Sequence, residues 1–272
     1  MSHAIANANA YPATAGVPSY FESSPSYGVA DYDPALAFGA NAFTVFVAIN
    51  APLPSNSGAT FGGLGQPLFN FTELWQSGGN AGKPKNGWGI WISGTYSAPC
   101  FRWYNAYDYA DASKWRDTYF NYDYANMCGR WNLLAFSKLD SAKTIRASGN
   151  GATLTDYTDG GTATTIGTPM HVDAANGVGV NTKVRYFHSV GAGVTPTINA
   201  TFAGAAGLWI ANGALTQAQL NAITTSAAAF KTAVDTTYLS SIVARTYADG
   251  QDWSPIQKQP TYNGRNPYLL IP

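Results

Sequence analysis

Residues 129–155 constrain the fold more than any other part of the sequence. Residues 131–137 carry apolar side chains on both faces of an extended strand, which is typical of a strand inside a two-sheet sandwich. A turn at Asp140 leads into a second extended stretch, and Asn150 and Gly151 follow it. An Asn-Gly pair tolerates the positive φ of a type I′ turn and is the strongest short-range hairpin signal. The stretch therefore predicts consecutive antiparallel strands joined by tight turns.

Three segments, in the same order along the chain, resemble the laminin-G-like and concanavalin A-like lectin/glucanase family. The central one has the rhythm of the family's Trp-His-x-Val-Ala strand, Asp turn and Asn-Gly hairpin, with Asn132 in place of the histidine. The first covers 19–50 and contains a Leu-x-Phe-Gly loop followed by a Phe-Thr-led strand. The third runs from Phe202 to Ile223 and includes an Ala-Leu-Thr helix start. The resemblance spans 19–223 and implies an all-β fold, a two-sheet antiparallel jelly-roll sandwich.

Alternation supports the strands without reference to the family. Phe43, Val45, Val47 and Ile49 fall on one face of an extended segment, as in a strand with one buried side. Further strands are predicted at residues 68–76, 87–93 and 183–188.

A helix is predicted directly after the third segment. Thr216 is its N-cap, Gln219 completes a capping box, and Leu215 can contact Leu220 across the first turn. Apolar residues then continue at helical spacing. The predicted organisation is an N-terminal extension (1–18), the sandwich (19–215), a helical segment (216–245) and an extended C-terminal arm (246–272).

Low charge narrows the classes of function. Charged residues make up 11% of the chain, the formal net charge is zero and the pI is about 6.8. Nucleic-acid and anionic-membrane surfaces need clustered Lys and Arg, so neither is predicted as a partner. No apolar run reaches the length of a membrane span, and the first residues lack the pattern of a secretory signal.

An aromatic and acidic stretch extends from Cys100 to Tyr124. Aromatic rings beside carboxylates and amides suit a sugar-binding surface, because rings stack on the apolar face of a pyranose while polar groups bind its hydroxyls. The alternative is that these rings are buried in the sandwich or in a protein interface. The candidate sugar-binding residues are Trp103, Tyr107, Asp108, Trp115, Asp117 and Asn121.

Catalytic motifs are missing from the sequence. Glucanases of the family carry a Glu-x-Asp-x-x-Glu strand, whereas Glu22 and Glu73 are the only glutamates here and neither has an Asp two residues away. Glycoside hydrolysis needs two carboxylates that flank the scissile bond. We therefore predict no catalytic residue.

Metal and cofactor sites are not predicted either. The three histidines, His3, His171 and His188, lack the spacing of zinc ligands. Calcium, which some members of the family bind through loop Asp residues, stays open at Asp156, Asp159 and Asp173, although solvated turn residues are the simpler interpretation.

The two cysteines, Cys100 and Cys128, are predicted to pair. If Cys100 begins one strand and the next antiparallel strand ends near Tyr124, Cys128 lies beside Cys100. Closing this loop of about 29 residues would stabilise the fold by about 3–4 kcal/mol. The alternative is a pair of buried free thiols, as a reducing cytosol would favour.

The last 27 residues, 246–272, combine apolar side chains with four prolines. Such a segment is too apolar for a solvated tail and too proline-rich for a helix or a central strand. We expect extended chain in a groove, either on its own sandwich or on a neighbouring subunit, and we favour the neighbour. The assembly residues of this arm are Trp253, Tyr262, Tyr268 and Leu270.

These features predict a non-catalytic structural or interaction protein rather than an enzyme. The preferred interpretation is a virion component, such as a phage decoration, appendage or fibre protein, located in the virion or on an extracellular surface. Its partners would be other subunits of a homo-oligomer or capsid and tail proteins, with glycans as further ligands. A carbohydrate-binding or adhesion module is the alternative, and a glycoside hydrolase ranks last.

Overall fold

The computed structural model describes residues 4–6, 10–11, 20–21, 27–30, 32–50, 66–74, 83–92, 98–122, 131–170, 182, 184–186, 204–235 and 242–247. The strands are β1 (Ala4–Ala6), β2 (Ala10–Tyr11), β3 (Tyr20–Phe21), β4 (Tyr27–Ala30), β5 (Phe43–Asn50), β6 (Gln66–Leu74), β7 (Pro84–Ile92), β8 (Pro99–Asn105), β9 (Trp115–Phe120), β10 (Trp131–Lys138), β11 (Ile145–Gly149), β12 (Ala152–Leu154), β13 (Asp156–Gly161), β14 (Val184–Tyr186), β15 (Gly204–Asn212) and β16 (Ile242–Tyr247). Two helices, α1 (Gln217–Thr224) and α2 (Ala227–Asp235), follow β15, and short 3₁₀ turns lie at Pro34–Leu36 and Ala112–Lys114.

The strands form two antiparallel sheets. Sheet A has the order β1-β4-β14-β6-β7-β8-β9-β13. Sheet B has the order β12-β11-β10-β5-β15-β3-β2, and β16 also pairs with β15. Strands distant in sequence are neighbours in both sheets, as in β5 between β10 and β15. The predicted fold class, an all-β two-sheet antiparallel jelly-roll sandwich, is confirmed.

The main core lies between the two sheets and explains the alternation in the sequence. Phe43, Val45, Val47 and Ile49 of β5 are fully buried in it, as predicted. The opposite face of this core includes Trp88 and other apolar side chains of sheet A.

A second apolar layer covers the other face of sheet B. Leu133 and Ala135 of β10 pack there, with Trp209 of β15, against residues of both helices that include Leu220 and Phe230. Strand β10 therefore has apolar residues on both faces because one face meets sheet A and the other meets the helices. The sequence predicted apolar residues on both faces of this strand, but it did not predict that a layer of helices covers one of those faces.

Helix α1 begins as the sequence predicts. The side chain of Thr216 accepts a hydrogen bond from the backbone of Gln219, and the side chain of Gln219 bonds back to the cap. The predicted helical segment to Arg245 is corrected, because α2 ends at Asp235 and residues 242–247 form β16 beside β15. Pairing with a preformed strand outweighs the local pattern here.

The boundaries of the sandwich are also wider than the sequence suggests. Residues 4–6 and 10–11, assigned to an N-terminal extension, are strands that pair with β4 and β3. The three further predicted strands are confirmed as β6, β7 and β14, with shifts of one to three residues at their ends.

The Asn-Gly hairpin is confirmed between β11 and β12. Asn150 and Gly151 have φ of 48° and 85°. The Asn150 side chain accepts from Leu133 N at 2.8 Å and donates to Asn132 Oδ1 and to Tyr122 OH, both at 3.2 Å. Asn132 is thus a buried anchor of the turn.

Candidate functional site

Strand alternation places a polar and aromatic cluster on the outer face of sheet A. Inward residues of β8 and β9 join the core, and the residues between them point away from it. Cys100 pairs in register with Tyr119, and Arg102 with Asp117. With Trp91 of β7, these four residues form what we call the outer-face cluster.

Arg102 is the centre of the outer-face cluster. Its Nε lies 3.3 Å from Asp117 Oδ2 and donates to Cys100 Sγ at 3.3 Å, while its Nη2 donates to Tyr119 OH at 2.7 Å. The guanidinium carbon is 5.7 Å from the ring centroids of both Trp91 and Tyr119. A cation with a carboxylate and two rings around it is fixed in orientation and serves to hold strands β7, β8 and β9 together.

Burial determines the protonation of this cluster. It raises the pKa of the Asp117 carboxyl, against the attraction of the Arg102 guanidinium. It also raises the pKa of the Cys100 thiol to about 12 and that of Tyr119 to about 12. Cys100 is therefore a protonated, weakly nucleophilic thiol at neutral pH.

The predicted disulfide stays a prediction. Cys100 is a buried free thiol in this structure. Its proposed partner, Cys128, lies outside the described residues.

The connection between β8 and β9, residues 106–114, is here called the aromatic loop. It is anchored at its start, where Ala106 N donates to Asn86 Oδ1 at 2.8 Å and Tyr107 N donates to Lys85 O at 2.9 Å. Farther on, Asp108 Oδ1 accepts from Ala110 N at 3.0 Å, so local hydrogen bonds also order the tip. The loop is therefore held by specific bonds at both places.

Asp111 caps the 3₁₀ turn that ends the aromatic loop. Its Oδ1 accepts from Ser113 Oγ at 2.6 Å and from Ser113 N at 3.0 Å. These two bonds lower the pKa of the Asp111 carboxyl, so it stays charged in mild acid.

Aromatic rings stack across the loop and onto β9. The Tyr109 ring is 74% exposed and lies nearly parallel to that of Trp115, at 5.9 Å and 9°. Tyr107 meets Trp115 edge-on at 6.2 Å and Tyr104 edge-on at 5.3 Å. The loop thus presents the outer face of Tyr109 to solvent on a support of packed rings.

Glycine makes room for this stack. A Cβ at Gly160 of β13 would lie 2.5 Å from the Trp115 ring, and Gly161 has φ of +70°. Trp115 can pack closely against β13 because neither residue has a side chain.

The six predicted sugar-binding residues fall into separate places. Tyr107, Asp108 and Trp115 are together at the aromatic loop. Asp117 lies on the same strand as Trp115 but is bound to Arg102. The remaining two residues are elsewhere.

Trp103 is corrected from a surface residue to a core residue. It is fully buried, packs against Phe101 at 5.9 Å and donates from its indole N–H to Ala163 O at 3.1 Å. Asn121 is exposed, but it lies beyond the other end of β9, about 20 Å along the extended chain from Trp115. Neither can share a small ligand with the loop.

Three residues that belong to the aromatic loop or the outer-face cluster were not among the six predicted sugar-binding residues. Tyr109 is the most exposed ring of the loop, and Arg102 and Tyr119 hold Asp117. In a strand, every second residue lies on the same face, so Arg102 and Tyr104 share one face, as do Asp117 and Tyr119. This spacing could have indicated that residues of opposite charge face outward on paired strands.

Glu73 has a structural role, because it links neighbouring segments of the fold through hydrogen bonds. It is buried on β6 and accepts hydrogen bonds from Lys85 Nζ at 2.8 Å, Asn86 Nδ2 at 2.9 Å and Met170 N at 3.1 Å. These bonds tie β6 and β7 to the segment that follows β13. Glu22 lies outside the described residues.

No group of three or more His, Cys, Asp or Glu side chains that could hold a metal occurs within the described ranges. The three histidines and Asp173 lie outside those ranges, whereas Asp156 and Asp159 belong to β13. Calcium binding therefore stays an open expectation.

In the part of the chain that the structure describes, no helix is both long and apolar enough to span a membrane.

No family model matches the sequence, and no curated protein matches it. Among solved structures, the chain is similar to the binding domain of Paraclostridial Mosquitocidal Protein 1, with 11% identity, a TM-score of 0.48 and coverage of 80% of this chain and 45% of that one. It is also similar to the binding domain of botulinum neurotoxin serotype G (10% identity, TM-score 0.45, 82% and 46% covered). A third similarity is to the native heptameric SAP-like pentraxin from Limulus polyphemus (11% identity, TM-score 0.38, coverage of 74% of this chain and 81% of that one). The chain spans less than half of the first two, and identities this low concern the fold alone.

Proposed function

We propose that the protein is a non-catalytic binding module of a larger assembly. The observation that carries this proposal is the pairing of two carboxylates on strands of sheet A, Glu73 and Asp117, with basic side chains. Glu73 is buried against Lys85, and Asp117 is bound to Arg102. Glycoside hydrolysis requires two carboxyl groups free to face one bond. A rigid sandwich with a hydrogen-bonded aromatic loop is instead suited to binding.

The assembly we propose is a virion or another structure on an extracellular surface, in which this chain is a decoration, appendage or fibre subunit. Low charge and the apolar, proline-rich residues after β16 support this setting. Protein subunits, either copies of this chain or capsid and tail proteins, are the proposed partners.

The catalytic part of this proposal has a direct test. The purified chain should release no reducing sugar from β-glucans or bacterial surface polysaccharides. Release that disappears in Asp108→Asn, Asp111→Asn or Asp117→Asn, with folding intact by circular dichroism, would show that the protein is an enzyme. An Asp140→Asn variant on an exposed turn provides the control for nonspecific loss.

The proposed role of the C-terminal arm in assembly has a second test. The arm is taken to begin after β16, because residues 246 and 247 belong to that strand. A chain ended after Tyr247 keeps the pairing of β16 with β15. We expect it to retain the near-ultraviolet circular dichroism of the full chain and to sediment as a monomer where the full chain assembles. Normal assembly, or unfolding of the shortened monomer, would contradict the arm's role in assembly.

Carbohydrate binding is a second candidate function. The specific observation in its favour is the exposed Tyr109 ring, supported by Trp115, on the same loop as the exposed carboxylates of Asp108 and Asp111. The two functions are compatible, because a subunit of a surface assembly can carry a glycan site.

A further inference from the structure

We propose that the aromatic loop and Trp115 form a platform for uncharged pyranosides and discriminate against acidic sugars. This inference rests on the proposed binding function. It assigns the site to Tyr109 and Trp115 and the selectivity to Asp108 and Asp111.

The first step concerns the Tyr109 ring. Within the described residues, the large hydrophobic side chains left exposed are Tyr109 at 74% and Met170 at 50%. Tyr109 differs from a loosely exposed ring because Trp115 is stacked behind it and Tyr107 meets Trp115 edge-on. Trp115 covers part of one face of Tyr109 in an offset stack, and the exposed part of the ring is a flat apolar surface held by these contacts. Such a surface loses little conformational entropy when a ligand stacks on it.

The second step concerns the polar groups at the rim. Asp108 and Asp111 are both exposed, and each has one carboxylate oxygen bonded within the loop. The second oxygen of each can accept a hydrogen bond from a ligand hydroxyl. A flat apolar face beside hydroxyl acceptors fits a pyranose, whose C–H face is apolar and whose edge carries hydroxyl donors.

The third step concerns charge. The loop contains two carboxylates and one basic side chain, Lys114. On the neighbouring strands Lys85 contacts Glu73 and Arg102 contacts Asp117, while Arg116, beside Trp115, is buried and donates from Nη1 to Gly161 O at 3.1 Å, so it is not part of the exposed surface. The rim is therefore net negative, and a uronic or sialic acid carboxylate would be repelled. A protein partner is the competing occupant, and the test below separates the two.

The experiment uses the full chain and matched saccharides. Neutral oligoglucosides and oligogalactosides, with oligogalacturonides as acidic counterparts, are titrated and followed by calorimetry and tryptophan fluorescence. The native chain should bind a neutral oligosaccharide at least about tenfold more tightly than its acidic counterpart at low salt. Added salt should reduce the difference in affinity between the neutral and the acidic oligosaccharide, because salt screens exposed charges.

Three variants locate the site. Tyr109→Ala should weaken neutral-sugar binding by about tenfold or more, whereas Tyr109→Phe, which keeps the ring, should stay within about threefold of the native chain. Met170→Ala, at the other exposed hydrophobic residue, should bind as the native chain does. All three should keep the native thermal midpoint, since their side chains are exposed at the surface.

The selectivity is tested at Asp108. Asp108→Asn keeps an oxygen to accept from Ala110 N and removes one charge. It should lower the ratio of neutral-sugar affinity to acidic-sugar affinity by about threefold or more, because the charge that repels the acidic ligand is gone, whereas loss of the free carboxylate oxygen weakens both sugars alike.

The outcomes separate this inference from the proposed function. Absence of saccharide binding, equal affinity for acidic sugars, or an unaffected Tyr109→Ala variant would overturn the platform. A protein partner bound through Tyr109 would also overturn it while preserving the non-catalytic binding function. A bound sugar that is cleaved would overturn the proposed function and leave the platform standing.

Discussion

Lys138 should make the free energy of unfolding depend on pH, and a Lys138→Met variant should lose this contribution. Lys138 is the last residue of β10 and is fully buried. Its Nζ donates to Leu139 O at 3.1 Å and lies 5.6 Å from the centroid of the Trp103 ring. Burial lowers the pKa of Lys138 from 10.5 to about 8, and Asp140 opposes that shift.

The sign follows from the two pKa values. Between about pH 8 and 10.5 the unfolded chain keeps a proton on Lys138 that the folded chain has lost. Stability therefore rises with pH in this window, by about 1.4 kcal/mol per pH unit and about 3 kcal/mol in total. Cys100 acts in the opposite direction above pH 9, because burial raises its pKa from 9.0 to about 12. The comparison of native chain and variant cancels the cysteine contribution.

The measurement is denaturant unfolding of both proteins at pH 7, 8, 9 and 10. Lys138→Met should be the more stable protein at pH 7, and its advantage should shrink as pH rises. Lys143→Met, at an exposed lysine on the adjacent turn, should follow the native profile. Parallel profiles for the native chain and Lys138→Met would show that Lys138 is not the titrating group.

Replacing Trp88 by alanine should lower the free energy of unfolding by about 3–5 kcal/mol. Trp88 is fully buried in the main core, and its indole N–H donates to Leu36 O at 3.0 Å. Its ring contacts four phenylalanines with centroid distances of 4.5 to 6.0 Å, namely Phe38, Phe43, Phe69 and Phe101. The variant loses these contacts, leaves a cavity and leaves the Leu36 carbonyl without this donor.

Urea unfolding measures the effect, with two comparisons. Trp88→Phe keeps most of the packing but loses the hydrogen bond, so its loss should be smaller than that of Trp88→Ala. Tyr109→Ala removes an exposed ring and should change stability by about 0.5 kcal/mol or less. A loss below about 1 kcal/mol for Trp88→Ala would mean that the core rearranges around the missing indole.

Local patterns in the sequence predicted much of the fold. The alternation in β5, the Asn-Gly hairpin and the capping box at Thr216 each depend on residues close together in the chain, and the structure confirms them. The order of three weak motifs then indicated the sandwich through their resemblance to a known family, and one strand from each of the three segments, β5, β10 and β15, pairs with its neighbour in sheet B.

The failures concern information that is not local. Strand β16 was predicted as helix because the sequence around Arg245 does not reveal its pairing with β15. Trp103 was included among the candidate sugar-binding residues because it lies in an aromatic and acidic stretch, whereas the register of β8 points its ring into the core, as the alternative of buried rings had it. Arg102 was missed because its partner, Asp117, is on another strand.

The closeness of Trp115 to β13 also implies a rule about relatives of this chain. Because the indole occupies the volume where a side chain at Gly160 would begin, a large residue can be present at one of the two positions but not at both. Homologous sequences should therefore show covariation between them: tryptophan at the first accompanies glycine at the second, and a side chain at the second accompanies a smaller residue at the first. Homologues with tryptophan and glycine at these two positions would keep a ring packed against β13, and homologues with the other combination would lack it.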